Sequence, residues 1–185
     1  ECRQMLYTAF KFDGPAAIRY PRGTGPGAVI AEEMTELEIG KAVEVRRGER
    51  VAILCFGTLL PEAMKAAEGL NATVVDMRWV KPLDEATVLE MAARHELLVT
   101  VEENAVAGGA GSGVAEFLAS TGSTPHLMHL GLQDSFIDHA SPEEQKIHVG
   151  LNGAGIRSSI ESRLTSFVTD FTPVMTVGSQ AEISR

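Results

Sequence analysis

Basic charge is scarce in this sequence: 16 lysines and arginines face 25 aspartates and glutamates, for a formal net charge of −9. A chain of that sign offers no general footprint for nucleic acid or an anionic membrane, so any anionic ligand has to be gripped locally. Cysteine is scarcer still. Cys2 and Cys55 are too few for a disulfide framework, and Cys55 sits in the apolar run VAILCF, where a thiol packs as a small hydrophobe. A reducing, cytoplasmic setting is expected. No run approaches the ~18 consecutive apolar residues needed to span a bilayer. The first residues, ECRQMLYTAFKF, lack the parts of a signal peptide. What is present is a chain of 185 residues, 44% hydrophobic, long enough for one full core and part of another domain.

Met5, Leu6, Ala9 and Phe10 fall on one face of a helix that starts without a cap at residue 1, as expected of a piece of a longer chain. Asp13-Gly14-Pro15 breaks that helix, and AAIRY after it reads as a strand. Residues 24–38, rich in glycine, proline and glutamate, read as an interdomain linker. Beyond it the pattern alternates. AVEV and RVAILCFG are strands separated by Arg46, Arg47, Gly48 and Glu49, a gap that suits a hairpin and puts an antiparallel strand at the sheet edge. Thr58 is positioned to cap a helix with Pro61 in its first turn and Ala63, Met64, Ala67 and Leu70 on one face. ATVVDM is the next strand, and Asp84 caps a second helix with an apolar stripe of Val88, Leu89 and Ala92. LLVTVEE, a third helix opened by GGAGSG, and the strand HLMHLGL complete the series. Near-continuous apolar strands alternating with helices predict a three-layer α/β domain with a mainly parallel sheet over residues 39–164.

Chemistry is sparse in this frame. GGAGSG could cradle a phosphate at a helix N-terminus, but counting from Gly109 or Gly111 puts Val114 or Glu116 where the dinucleotide fingerprint needs glycine. A tight turn for close packing is the plainer reading. Ser112 is not in a nucleophile elbow, and His95, His126, His129, His139 and His148 lack the paired spacing of a metal site. Packing or a sheet edge suits His126 and His129. Glu102 and Glu103 end a strand at the ligand-binding edge of such a sheet, where acid/base work, a capped turn or an ion pair are all open. Asp138 and His139, in FIDHAS, could serve a loop site or only the loop itself.

Five stretches, in order, carry a resemblance: ECRQMLYTAF, AIRYPRG, AILCFGT, the long run from ATVVDMRWVKPLDE to TVEENAVAGGAGSGVAEFL, and GLQDSFIDHAS. Together they resemble the C-terminal part of a thiamine-diphosphate-dependent branch of the transketolase family. The resemblance implies residues 1–23 as the last helix and strand of a pyrimidine-binding domain, residues 24–38 as linker and residues 39–164 as the transketolase C-terminal domain. Residues 165–185 match nothing in that pattern. It implies condensation of pyruvate with D-glyceraldehyde 3-phosphate with loss of carbon dioxide, which feeds isoprenoid, thiamine and pyridoxal precursors. Thiamine diphosphate and Mg2+ would be bound upstream and none by this stretch, so no catalytic, cofactor or metal residue is expected here. A homodimer is implied for the whole enzyme.

The arginine of YPRG holds the substrate phosphate in that family, and it maps onto Arg22. The local chemistry is compatible: a planar guanidinium between Pro21 and Gly23, at the end of an apolar run, suits bidentate phosphate binding. An ordinary interdomain ion pair is the alternative. Gln133 and Ala140 stand where the family usually has proline and glycine. Two other readings stay open: the C-terminal domain of a related protein such as the β subunit of a 2-oxo acid dehydrogenase, and a non-catalytic assembly module.

Overall fold

A computed structural model describes residues 1–21, 25, 27 and 29–169. Arg22 and residues 170–185, with Gly23, Thr24, Pro26 and Ala28 of the linker region, lie outside the described residues. Helix α1 (Cys2–Lys11) comes first, and then β1 (Val43–Arg46), β2 (Val51–Phe56), α2 (Leu60–Leu70), β3 (Thr73–Asp76) and α3 (Glu85–Arg94). The series continues with β4 (Leu97–Ala105), α4 (Ala110–Thr121), β5 (His126–Leu132), α5 (Pro142–His148) and α6 (Gly153–Thr169).

The sheet order is β1-β3-β2-β4-β5, with every pair parallel except β1 against β3. Strand β2 is buried at all six positions because it has a strand on each side and a helix layer on each face. Alternation along the strands divides the core. Val51, Ile53, Cys55, Val99 and Val101 pack with Ala63, Ala67, Ile156 and Ile160 of α2 and α6. Ala52, Leu54, Val75 and Leu98 pack with Val88, Met91, Val114 and Leu118 of α3 and α4. Fully burying one such aliphatic side chain contributes about 1.5–3 kcal/mol.

Two local expectations change. The antiparallel edge strand is present, but β1 does not form a hairpin with β2. Both edges of β2 are taken by parallel neighbours, so β1 passes to the outer edge of β3. The connection is pinned there: Gly48 N donates to Thr73 Oγ1 at 3.0 Å and Glu49 N to the Asn71 carbonyl at 2.8 Å. A Cβ at Gly48 would fall 2.2 Å from that carbonyl oxygen, so only glycine fits. Second, AAIRY is not one of the five strands of the sheet, because extended residues become a strand only beside a neighbour that takes their N–H and C=O groups. On the apolar face of α1, Leu6 is 47% and Phe10 86% exposed, while Met5 and Ala9 are half-buried. The helix is held by polar contacts, Gln4 Nε2 to Thr35 Oγ1 at 2.7 Å and Leu37 N to Thr8 Oγ1 at 2.8 Å.

Asp84 does cap α3, and it does more. Its Oδ1 accepts from Thr87 N at 3.1 Å and its Oδ2 from Ala42 N at 2.9 Å, tying the entry to β1 onto the helix start. Burial opposes the charge, but these N–H groups outweigh it and hold the carboxyl below its usual value. Asp84→Ala strands two N–H groups, and a loss of about 2–4 kcal/mol is expected in urea unfolding; an unchanged midpoint would remove Asp84 from this role.

Candidate functional site

The C-terminal edge of the parallel strands is where a fold of this type places its ligands. Strand β4 carries Glu102 and Glu103 near that edge, and alternation sends their side chains to opposite faces of the sheet. Glu102 is buried at 3% exposure. Its Oε2 accepts from Ala110 N at 2.8 Å and its Oε1 from Gly111 N at 2.9 Å. One carboxylate therefore satisfies two of the free N–H groups at the start of α4 and meets the positive end of its dipole.

That contact explains the glycines. A Cβ at Gly109 would lie 2.4 Å from Glu102 Oε2, and one at Gly111 would lie 2.4 Å from Thr100 Oγ1 and 2.7 Å from His129 Nδ1. Ser112 closes the same turn, donating from Oγ to the Val106 carbonyl at 2.9 Å and accepting from Gly108 N at 3.0 Å. GGAGSG is therefore a packing turn already filled by the protein's own anion. His129 belongs to the same cluster, with Nδ1 2.7 Å from Thr100 Oγ1. Burial pushes its imidazole below the usual value, against a smaller pull upward from Glu102.

Glu103 lies on the other face and is exposed. Thr58 Oγ1 donates to its carboxylate instead of capping α2, whose N-cap position is Leu59 with no side-chain bond. Arg19 Nη2 donates to the Glu103 main-chain carbonyl at 2.7 Å. Thr58 follows β2 and Glu103 lies near the end of β4, the adjacent strands from which α2 and α4 leave to opposite layers. They mark the switch point of the sheet.

The remaining candidates are separate. His95 is buried between Thr73 Oγ1, 2.8 Å from Nε2, and the Met91 carbonyl, 2.9 Å from Nδ1. His126 stacks on Phe167 with ring centroids 4.2 Å apart. Asp138 and His139 are exposed on the loop before α5, and the Asp138 carbonyl accepts from Gln145 Nε2 at 3.0 Å. His148 is exposed at the end of α5. Among the described non-glycine residues only Asn71 and Arg78 have positive φ, so Ala140 needs no glycine conformation. Gln133 is exposed on the same loop.

A second carboxylate cluster was not foreseen from sequence. Asp76 ends β3 at 6% exposure, beside Glu1 and Arg78, and Glu1 is ion-paired to Arg78 Nε. Burial, followed by the hydrogen bond and repulsion from Glu1, pushes the Asp76 carboxyl up to about 7 against the pull of Arg78. The apolar start of TVVDM gives no sign of it, because Glu1 is distant in sequence.

A match to the transketolase C-terminal domain covers residues 40–156, and the chain belongs to that family. It is 57% identical over 164 residues to 1-deoxy-D-xylulose-5-phosphate synthase of Pseudomonas putida, covering 89% of this chain and 26% of the relative. Enzymes of the same name from Stutzerimonas stutzeri and Pseudomonas aeruginosa match at 56% and 58% identity. The chain thus spans about a quarter of the length of these curated relatives. Among solved structures it is similar to a split-gene transketolase, an inactive β4 tetramer, with TM-score 0.72 and 28% identity over 88% of this chain and 54% of that one. The mixed five-stranded sheet agrees with that likeness.

The described residues do not fit thiamine diphosphate with its metal. The glycine-led helix start is occupied by Glu102, and no group of three or more His, Cys, Asp or Glu could hold an ion among the described residues.

Two outcomes follow for the carboxylates. Glu102→Ala leaves two N–H groups unpaired at the start of α4 and is expected to cost about 2–4 kcal/mol in denaturant unfolding, with Glu102→Gln much milder. Equal unfolding midpoints for wild type and the alanine variant would contradict the capping role. Asp76 favours its protonated form on folding, so it adds stability below the unfolded pKa near 3.8 that is lost as pH rises toward about 7. Asp76→Asn should therefore gain on wild type between pH 5 and pH 8, by about 2–4 kcal/mol in unfolding free energy; parallel pH profiles would refute the shift.

Proposed function

We propose that this chain is the C-terminal region of a 1-deoxy-D-xylulose-5-phosphate synthase, a transferase that condenses pyruvate with D-glyceraldehyde 3-phosphate and releases carbon dioxide. The observation that carries this reading is 57% identity sustained over 89% of the chain to enzymes of that name. In this reading residues 1–23 close the pyrimidine-binding domain, residues 24–38 are a linker, residues 39–164 form the C-terminal domain and residues 165–185 are a tail. The chain acts inside the whole enzyme, in the cytoplasm, where the unpaired Cys2 and Cys55 remain thiols. In this reading thiamine diphosphate and magnesium are bound by the part of the enzyme upstream of this stretch.

Two contributions are assigned to this stretch. The three-layer domain supplies an assembly surface for a homodimer, and Arg22 supplies a fork of N–H donors for the phosphate of the aldehyde substrate. The net charge of −9 makes such a local cation necessary, since a phosphate dianion gains nothing from the chain as a whole. The filled helix start of α4 supports the same division: the glycine turn that opens it already holds Glu102.

The test is deoxyxylulose-phosphate formation by the full-length enzyme, wild type against Arg22→Ala, with thiamine diphosphate and magnesium. Removing a charged bidentate contact should cost about 2–4 kcal/mol in transition-state binding, seen in kcat/KM for glyceraldehyde phosphate with the pyruvate dependence little changed. An inactive wild type sinks the synthase reading; a fully active variant removes Arg22 from the phosphate.

A further inference from the structure

We propose that the carboxyls of Asp76 and Glu1 form a proton-dependent latch: the proton they share holds the start of α1 against the end of β3, and its loss frees the helix from the sheet. No substrate or cofactor takes part, so the latch stands whether or not the synthase reading does.

The way α1 is held makes this contact decisive. Among the described residues, Arg3, Gln4, Thr8 and Lys11 bond to residues 31–37, the segment that follows the helix, and not to the sheet. The link from the helix to the sheet is made at its N-cap residue, Glu1, whose carboxylate pairs with Arg78 just beyond β3. Glu1 is in turn tied to the helix, because its carbonyl accepts from Met5 N at 2.9 Å. Where the Glu1 side chain goes, the first turn of α1 follows.

The place it enters holds more negative charge than its one cation can balance. Asp76 is buried, its Oδ1 accepts from Arg78 N at 3.2 Å, and its carboxyl is hydrogen-bonded to that of Glu1, which also takes the Arg78 guanidinium. The neighbouring strands bring no further charge. Val43 lies opposite Asp76 on β1, and Cys55 lies opposite it on β2, where burial and Asp76 itself push the thiol up and keep it neutral. Two ionised carboxylates against one guanidinium leave a negative charge unbalanced, and a single shared proton removes it.

The sign of the pH dependence follows. Burial and Glu1 raise the Asp76 carboxyl to about 7 with α1 in place, and it returns toward the ordinary value of 3.8 as the helix leaves and water enters. The docked state therefore binds the extra proton. Docking is strongest in acid, weakens as pH rises toward 7 and levels off above that, once neither state keeps the proton. The proton passes to solvent, and Glu1 and Asp76, both ionised, repel each other.

Cys2 is exposed and Cys55 buried, so a nitroxide label can be placed on α1 alone. Its broadening of the Met77 and Arg78 amide signals of this chain in nuclear magnetic resonance reads how closely α1 stays on the end of β3. From about pH 5.5 to about pH 7.5 the docking constant should fall about tenfold, with the midpoint shown by the Asp76 carboxyl carbon signal. Asp76→Asn keeps an N–H donor for Glu1 without the charge, so its broadening should stay strong across the whole range. The carbon titration needs no variant, which covers the case where Asp76→Asn fails to fold. Broadening that is absent throughout, that holds one value in wild type while Asp76 titrates, or that fades equally in Asp76→Asn would overturn the latch. So would an Asp76 signal that titrates in the ordinary carboxylate range.

Discussion

The carboxylate of Glu102 on the first N–H groups of α4 is the contact on which the C-terminal edge of this sheet depends. It bonds the end of β4 to the start of the next helix through two hydrogen bonds in a site closed to water. Gly109 and Gly111 follow from it, since any side chain there would collide with the carboxylate or with the Thr100–His129 pair beside it. Gly131 on β5 packs against the same strand end, where a Cβ would lie 2.9 Å from the Asn104 carbonyl oxygen and 3.2 Å from Glu102 Cγ. Because strand residues alternate, fixing Glu102 inward turns Glu103 outward to Thr58, and its carbonyl to Arg19.

Glu62 repeats the device on the opposite layer. It is a residue of α2, yet its Oε2 accepts from Gly153 N at 2.7 Å, at the start of α6, while Lys65 Nζ sits 2.7 Å from Oε1. Burial alone would raise this carboxyl, but Lys65 and the Gly153 N–H hold it below its usual value. An acidic chain thus spends buried carboxylates on helix starts that other α/β folds leave open for phosphates.

Much of this was legible in the sequence, for reasons that can be located. VAILCF and LLVTVEE read as central strands because both faces of each are buried, and Asp84 read as a cap because it stands directly before an apolar helical stripe. The partner of β1 was not legible: a four-residue gap permits a hairpin, and nothing local reveals that both edges of β2 are taken. AAIRY has the composition of a strand but no neighbour among the described residues. Helix α6 did leave a signal, since Ile156, Ile160, Leu164 and Phe167 share a face against the α2 layer. Of the candidate site, Glu102 and Glu103 could be placed at the strand end. Which of the two would be capped and which exposed depended on strand register. The contact of Arg19 with Glu103, spanning 84 residues, had no local trace.

The most direct measurement of the central claim is a titration of this chain with inorganic phosphate, followed by the backbone amide signals of Ala110 and Gly111 in nuclear magnetic resonance. If Glu102 holds these two N–H groups, both signals stay where they are as phosphate rises through the millimolar range. A saturable movement of both would mean that the carboxylate yields its place to an external anion, and that the start of α4 is a ligand site after all.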